Sequence, residues 1–355
     1  MAASQHLVHE DRTVRSRKRN EINIIPVEEE NYFILSDGDK SRLIIDKQSG
    51  EVVSWIQNGI RLVDLNKRTS GERLSITRAY TDNDLHSESY LMKTGWRALN
   101  LADMERSVKE VRCYGNSIAV YRKHCNAYAG IREYVLYSMT DDGTLIKDMY
   151  IQPYGSIRNL PRIGHELVLG TELVKVEWYG RGPGENYPDR KNSTLVGCYE
   201  SSVSEDEFYV FPQEYGSHQD VRWIKITDEN QNKVYLLGNR LLSFSVRRET
   251  DQLLAETKNI SELKQNKGAV LELDYAVSGL GNASCGTDVM EKYQIIPEPI
   301  FVQIVYGSKI EGFETVDLHN VFHIDDGLQI KDRRGVNESK YVDPSDAESR
   351  IKAGF

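Results

Sequence analysis

The residues best suited to acid/base chemistry are two pairs of closely spaced carboxylates, Asp82 with Asp84 and Glu185 with Asp189. Two carboxyl groups that flank a glycosidic bond can hydrolyse it, one as acid and the other as base or nucleophile. Loop carboxylates more often cap turns and pair with nearby arginines. On residue types alone we favour this structural role and leave the catalytic one open.

Two further motifs are weaker. The glycine-rich run at 180–184 follows a predicted strand, but a dinucleotide-binding turn needs a helix directly after it, and Pro183 and Pro188 prevent one. We interpret the run as a corner between strands. His319 and His323 have the i, i+4 spacing of a zinc-binding pair. No Glu follows His319 and the segment is predicted to be a tail, so a metal site there is disfavoured.

The elements that must position these residues are short strands. The chain has 20 tyrosines, and many runs mix β-branched and aromatic residues between turn signals such as Asn58-Gly59 and Asp142-Gly143. A sustained 3.6-residue apolar period is lacking; short helices are predicted only at 251–258 and between 88 and 106. The pattern predicts an all-β fold, a large antiparallel β-sandwich.

The domain organisation is predicted from the same succession of short strands and turns, which continues without a linker from Tyr32 to Tyr306. We predict one sandwich at 21–309, a polar N-terminal arm at 1–20 and a C-terminal tail at 310–355. Both ends are expected to be mobile or to dock on a partner.

Charge and composition exclude several function classes. The chain has 45 basic and 54 acidic residues, a net charge of -9, so nucleic acid is not expected as a partner. We find neither an apolar run of membrane-spanning length nor a secretory signal, and predict a cytoplasmic protein that does not contact a membrane. The four cysteines lack metal-binding spacing and are predicted to be free thiols.

One stretch carries a strong resemblance. Residues 176–190, which read VEWYGRGPGENYPDR, closely resemble a signature of the C-terminal β-sandwich domain of glycoside hydrolase family 2 β-galactosidases. Further similar stretches occur in the family's order at 78–84 (RAYTDND), 160–164, 209–214, 220–223 and 279–286. The resemblance covers about Tyr32 to Tyr306 and implies a sandwich of the galactose mutarotase-like type.

In single-chain members this domain is the last of five, and the catalytic carboxylates lie on an α/β barrel. The resemblance therefore implies the small subunit of a two-chain β-galactosidase, with a barrel-bearing large subunit as partner and a lactose-like β-galactoside as substrate. It implies hydrolysis with retention, catalytic glutamates supplied by the partner and none in this chain. No cofactor or metal is expected in this chain; Mg and Na are expected in the assembled enzyme, bound by the large subunit.

The resemblance also assigns roles to residues. The family's mobile lid over the galactose pocket corresponds to Asp84, Leu85, His86 and Ser87, with His86 where a glycine is usual. The pocket wall corresponds to Ser284, Cys285 and Gly286, with Cys285 where the best-known members place a tryptophan. The signature residues that we interpret as architectural are Trp178, Glu185, Asn186, Tyr187, Asp189 and Arg190.

A second hypothesis stays open. Proteins that bind or epimerise hexoses share this sandwich type, so a stand-alone sugar-binding or mutarotase-like protein is the alternative. A subunit should expose an apolar patch when isolated, whereas a free sugar-binding protein should behave as a monomer.

Overall fold

The computed structural model describes residues 16–17, 22–64, 71–85, 96, 98–203, 209–263, 268–313, 316, 318–322 and 324. Within these residues nearly all regular structure is antiparallel β, which confirms the predicted all-β sandwich. None of the helices described there has the length and apolar composition that crossing a bilayer requires.

The smaller of the two main sheets has five strands in chain order. They are β2 (Val27–Glu28), β3 (Tyr32–Ser36), β4 (Arg42–Asp46), β5 (Val52–Gln57) and β6 (Ile60–Asp64). The turn between β5 and β6 is the predicted Asn58-Gly59 pair. Both residues have positive φ, 47° and 84°, as a two-residue type I′ hairpin requires.

The larger sheet has twelve strands. They are β7 (Glu72–Ser75), β8 (Glu105–Tyr114), β9 (Ser117–Cys125), β10 (Ala129–Met139), β11 (Leu145–Gly155), β12 (Arg162–Val168), β13 (Leu173–Gly182), β14 (Leu195–Ser201), β15 (His218–Asp228), β16 (Lys233–Arg247), β17 (Val270–Val277) and β18 (Ile300–Gly307). The main path runs β14-β13-β15-β16-β18-β11-β10-β9-β8, while β17 joins β16 to β12, which pairs in turn with β7.

The core fills the space between the sheets. Trp55 of β5 contacts Tyr306 of β18 edge to face, with ring centroids 4.6 Å apart, and both side chains are fully buried. Leu35 and Leu43 contribute from the smaller sheet and Val135 and Ile151 from the larger one. This continuous apolar layer is the dominant stabilising element.

In the described part of the chain, helices are few and short. They are α1 (Asp82–Leu85), α2 (Asp251–Glu256) and α3 (Leu318–Phe322), with 3₁₀ turns at Ile260–Glu262 and Glu291–Tyr293. The prediction of a helix at 251–258 is confirmed by α2. The prediction of one between 88 and 106 is wrong for 98–103, which form turns, and for 105–106, which begin β8; most of 88–97 lies outside the described residues.

Some of the described residues after 309 form regular structure. Gly312–Phe313 form β19, which pairs in parallel with β1 (Ser16–Arg17), and α3 packs on the outer face of the large sheet. The Phe322 ring lies 5.2 Å from that of Tyr134. His319 is in α3, edge to face with Tyr150, and His323 lies outside the described residues. Two short elements, Gly312–Phe313 and Leu318–Phe322, thus lie within the segment predicted as a tail.

Candidate functional site

A buried ion pair anchors the start of the predicted lid. The Arg78 guanidinium donates to both oxygens of Asp84, from Nε at 2.9 Å and Nη2 at 2.8 Å, and both side chains are almost fully buried. Burial alone would lower the pKa of Arg78, but attraction and hydrogen bonding to Asp84, together with attraction to Glu214, outweigh it and raise the pKa. Because Arg78 also donates to the carbonyls of Ser278 and Gly279, the pair fixes the 278–279 segment beside α1.

Asn83, the residue before the predicted lid, contacts the loop that carries the predicted pocket wall. Its Nδ2 donates to the Gly281 carbonyl at 2.7 Å. Its Oδ1 accepts from the Ser284 backbone N at 3.0 Å and from Ser284 Oγ at 2.7 Å. Ser284, Cys285 and Gly286 are exposed at the tip of this loop. Leu85 is exposed at the end of α1, and His86 and Ser87 lie outside the described residues.

Asp189 of the long signature supports the same loop from the other side. Its carboxylate accepts from the backbone N of Leu280 at 3.0 Å and of Gly281 at 2.8 Å. A Cβ at position 279 would lie 2.6 Å from Asp189 Oδ2, and Gly281 has φ +66°, so both glycines are required by geometry. Three segments that are distant in the sequence thus converge at one end of the sandwich.

The remaining signature residues hold the neighbouring corner together. Glu185 accepts from the Tyr209 hydroxyl at 2.6 Å and from the Gly216 backbone N at 2.9 Å, and Arg190 lies 3.4 Å from it. Asn186 is fully buried, and its Oδ1 accepts from the Gln219 backbone N at 2.9 Å. These carboxylate and amide groups all have partners within the corner.

Two aromatic residues of the signature lie in the interior. Tyr187 is fully buried and donates to Glu214 at 3.4 Å; burial raises its pKa well above the usual value. Trp178 donates from Nε1 to the Arg181 carbonyl at 2.9 Å, and its ring lies 4.3 Å from that of His218. Neither ring is placed to stack on a bound sugar.

Beneath the corner lies a network of charges that we did not identify from the sequence. Arg162, which is fully buried, contacts Glu214 at 2.7 Å, Asp251 at 2.5 Å and Asp274 at 2.9 Å. Arg247, also buried, pairs with Glu214 and Asp251. A sequence signal existed, since Glu272 and Asp274 alternate with leucines in β17, a pattern that places both carboxylates on one sheet face.

A cavity of about 500 Å³ opens next to β7 and α2. Its polar lining includes Arg73, Arg106, His124, Glu133, Glu166 and Asp251, and Tyr80 and Met104 supply apolar surface. Among the described residues, three carboxylates have oxygens close enough to share a metal ion: Glu166, Asp251 and Glu272.

Exposed apolar side chains border the site. Val210 is 82% exposed, Leu85 45% and Phe211 41%. The 209–213 segment is tied to the site at two points, because Tyr209 donates to Glu185 and Gln213 Oε1 accepts from the Asp82 backbone N at 3.2 Å. We call Leu85, Tyr209, Val210 and Phe211 the apolar rim.

Comparison with known protein families identifies the family of β-sandwich proteins to which this chain belongs. A sequence profile described as "Beta galactosidase small chain" matches residues 37–305, about three quarters of the chain. The chain belongs to the β-galactosidase small chain family. Its predicted family resemblance is thereby confirmed, and all the converging segments described above lie within the matched range.

Curated relatives agree. A β-galactosidase of Kluyveromyces lactis is 24% identical over 274 residues, which are 74% of this chain and 26% of that protein. One of Arthrobacter sp. strain B7 is 28% identical over 256 residues, 64% of this chain and 25% of that protein. The small-chain sequence thus spans about a quarter of the length of the relatives that it matches.

Solved structures give a weaker likeness. A galactose mutarotase-like protein from Clostridium acetobutylicum has a TM-score of 0.42 at 8% identity, covering 81% of this chain and 98% of that one. An aldose epimerase homologue from C. elegans has a TM-score of 0.41 at 9% identity, with 80% and 98% covered.

Proposed function

We propose that this chain is the non-catalytic subunit of a β-galactosidase and that it forms a wall and a lid for a galactose pocket whose catalytic glutamates belong to a barrel-bearing partner. The observation that carries the proposal is the contact of Asn83, the residue before the predicted lid, with Gly281 and with Ser284 of the predicted wall. Family membership supports galactoside hydrolysis as the shared activity.

The carboxylates of this site argue for the non-catalytic role. Asp84 is held by Arg78, Asp189 by two backbone N–H groups, and Glu185 by Tyr209 and Gly216. A retaining glycosidase needs two carboxyls about 5 Å apart on either side of the sugar, one free to attack and the other to exchange a proton. Groups occupied by structural hydrogen bonds are poorly suited to either task.

In the assembled enzyme the chemistry would proceed in two steps. A carboxylate of the partner displaces the leaving alcohol and forms a galactosyl ester, while a second carboxyl protonates the leaving oxygen. Water then attacks the ester, and the second carboxyl accepts its proton, so the β configuration is retained. Asn83, Ser284 and Cys285 would border the pocket without exchanging protons.

The ions and the location of the assembled enzyme are further parts of the proposal. We infer that the Mg and Na used in galactoside hydrolysis are held by the partner, since the site at Asn83 and Ser284 offers hydroxyl, amide and thiol groups rather than a set of carboxylates. A cytoplasmic location is part of the same proposal.

The apolar rim suits a surface that the partner covers. Exposed Val210 and Phe211 next to polar loop residues are typical of interaction sites on otherwise soluble proteins. Val210→Asp is expected to weaken association with a large subunit and to lower the activity of the mixture, because a charge would be buried without a partner. The matched control is Val27→Asp, at a valine of the five-stranded sheet that is 57% exposed.

Analytical ultracentrifugation of each variant with the large subunit measures the association. Reduced complex formation by Val210→Asp with normal behaviour of Val27→Asp supports the proposed surface. Equal association of both variants would remove the rim from the interface.

The cavity of about 500 Å³ favours a second candidate, a stand-alone sugar-binding protein, since its mixture of guanidinium, imidazole, carboxylate and tyrosine groups can hydrogen-bond a hexose. Saturable galactose binding by the isolated chain, measured by calorimetry, would support this alternative. Binding that appears only with the large subunit would reject it.

A further inference from the structure

A row of polar side chains crosses four neighbouring strands of the large sheet. In the strand register, Arg73 of β7 is opposite Glu166 of β12, Glu166 is opposite Glu272 of β17, and Glu272 is opposite Ser245 of β16. Directly opposite residues of antiparallel strands share a face, and like charges in such a pair repel. The neighbouring carboxylates Glu166 and Glu272 therefore need a compensating positive charge.

The surrounding arginines supply only part of it. Among the described residues, five carboxylates belong to this row or contact the buried arginines beside it. They are Glu166, Glu214, Asp251, Glu272 and Asp274. Arg162 and Arg247 lie within this network of charges. Arg73 lies at the edge of the cavity, and its guanidinium is 3.6 Å from the Glu166 carboxylate. Three guanidiniums leave two carboxylates without an opposing charge.

Several buried oxygens of the row also lack hydrogen bonds. Neither oxygen of Glu272 accepts one, although the side chain is fully buried, and its nearest guanidinium nitrogen in the ion-pair network, Arg162 Nε, is 3.7 Å away. Glu166 Oε1 likewise accepts no hydrogen bond, and its ion-pair partner Arg73 Nη2 is 3.6 Å away. Ser245, which is 2% exposed and shares the face of Glu272, has an unpaired hydroxyl oxygen. Buried polar atoms rarely lack a hydrogen-bond partner unless a bound ligand or a proton satisfies them.

The positions of the oxygens suit a divalent cation. One oxygen from each of Glu166, Asp251 and Glu272 lies within 4.8 Å of the other two. Ligands on opposite sides of a calcium ion are about 4.6–5.2 Å apart, and those of magnesium about 4.0–4.2 Å. The cluster is therefore small enough for three carboxylates to reach one ion.

The site is also accessible. Glu166 and Asp251 both line the cavity of about 500 Å³, where water molecules could complete the coordination of an ion.

We propose that Glu166, Asp251 and Glu272, with the Ser245 hydroxyl beside them, bind one divalent cation of the oxygen-preferring class, Ca²⁺ or Mg²⁺. The ion would fix the first residue of α2 to strands β12 and β17. It is a structural ion of this chain, separate from any ion that the large subunit holds, and the inference does not depend on the proposed function.

The test uses the purified full-length chain after treatment with a chelator. Ca²⁺ and Mg²⁺ are titrated by calorimetry, Mn²⁺ is titrated by electron paramagnetic resonance as a paramagnetic probe, and the midpoint of thermal unfolding is followed with each ion. We expect one equivalent of ion and an increase in the unfolding midpoint. Glu272→Gln should lower the affinity by at least about 10-fold.

The matched control is Glu256→Gln, which changes another carboxylate of α2 that lines the same cavity and accepts from Gln252 at 2.8 Å. It should leave the affinity unchanged. If Glu272→Gln does not fold, Ser245→Ala and the stoichiometry of the wild-type chain provide the test. Absence of saturable binding, or binding that is equally strong in both Glu variants, would overturn the site.

Discussion

Asn83 and Ser284, which are 201 positions apart, are joined by two hydrogen bonds to a single oxygen, from the Ser284 backbone N at 3.0 Å and from its hydroxyl at 2.7 Å. Asn83 is the second residue of α1, whereas Ser284 lies in an exposed loop. One amide side chain therefore sets the position of the predicted pocket wall relative to the predicted lid.

The first prediction concerns this coupling. Asn83→Ala removes three hydrogen bonds to the 281–284 segment, each of which contributes about 1 kcal/mol. We expect KM for a galactoside to rise roughly 10-fold in the assembled enzyme, with a smaller change in kcat, because the wall loses its fixed position. Steady-state kinetics of the reconstituted complex measures this.

The control for that variant is Asn282→Ala, because the Asn282 hydrogen bonds to Cys285, Gly286 and Thr287 use its backbone. Its kinetics should match those of the wild-type chain. Equal KM values for all three chains would show that the Asn83 contacts do not shape the pocket.

The second prediction concerns Gly279. A Cβ there would lie 2.6 Å from an Asp189 oxygen, and Asp189 cannot turn away without losing its bonds to the backbone N–H groups of Leu280 and Gly281. Gly279→Ala should lower the free energy of unfolding by about 1–3 kcal/mol. Gly184→Ala, where a Cβ meets nothing within 4 Å, should change it by less than about 0.5 kcal/mol. Denaturant unfolding compares the two, and similar losses would contradict the steric argument.

The third prediction concerns pH and His218. Burial against Trp178 and Phe244 lowers the pKa of His218 from 6.5 to about 4, and a hydrogen bond to the Arg181 backbone opposes this only in part. Between pH 6.5 and 4 the unfolded chain therefore binds a proton that the folded chain does not. Stability from this residue is complete above pH 6.5 and falls by roughly 3 kcal/mol by pH 4.

His218→Gln should remove that part of the pH dependence. The difference in unfolding free energy between wild type and variant, measured by denaturant titration from pH 8 to 4, is expected to decrease below pH 6.5. A constant difference across this range would mean that His218 is protonated equally in both states.

The fourth prediction concerns the loop tip. Cys285→Trp places an indole at an exposed position where it could stack on a sugar, an interaction of about 0.5–1.5 kcal/mol. KM or acceptor preference of the assembled enzyme should change by up to roughly 10-fold, whereas the unfolding midpoint should not. Cys198→Trp, at an exposed thiol of β14, is the control, and unchanged kinetics for Cys285→Trp would remove Cys285 from the pocket.

The fold was accessible from the sequence where local signals agree with the tertiary structure. Runs rich in β-branched or aromatic residues, such as those of β4 and β10, and the Asn58-Gly59 turn predict strands and a hairpin that are present. Strand β8 has no such signal in the sequence, because it is only partly buried along its whole length and shows no apolar alternation. Exposed polar residues at 239–240 interrupt the apolar pattern of strand β16, so the sequence alone does not indicate one continuous strand there.

The buried ion pairs and the contacts between the distant segments of the site could not be predicted from local sequence patterns. The fully buried Lys147 pairs with Glu72, 75 positions earlier, and Arg162 with Glu214 and Asp251, so only the folded chain shows that these charges are compensated. The free thiols were predicted correctly. The lid and wall residues came from the family resemblance, and their role at a galactose pocket remains a prediction.

The most direct measurement of the central claim is hydrolysis of a chromogenic β-galactoside by the purified chain, first alone and then mixed with a barrel-bearing large subunit, with the mass determined in both cases. The account predicts no turnover by the isolated chain and activity in a complex that contains both chains. Turnover by the isolated chain would contradict it and would make the carboxylates Asp82, Asp84, Glu185 and Asp189 the first candidates for catalysis.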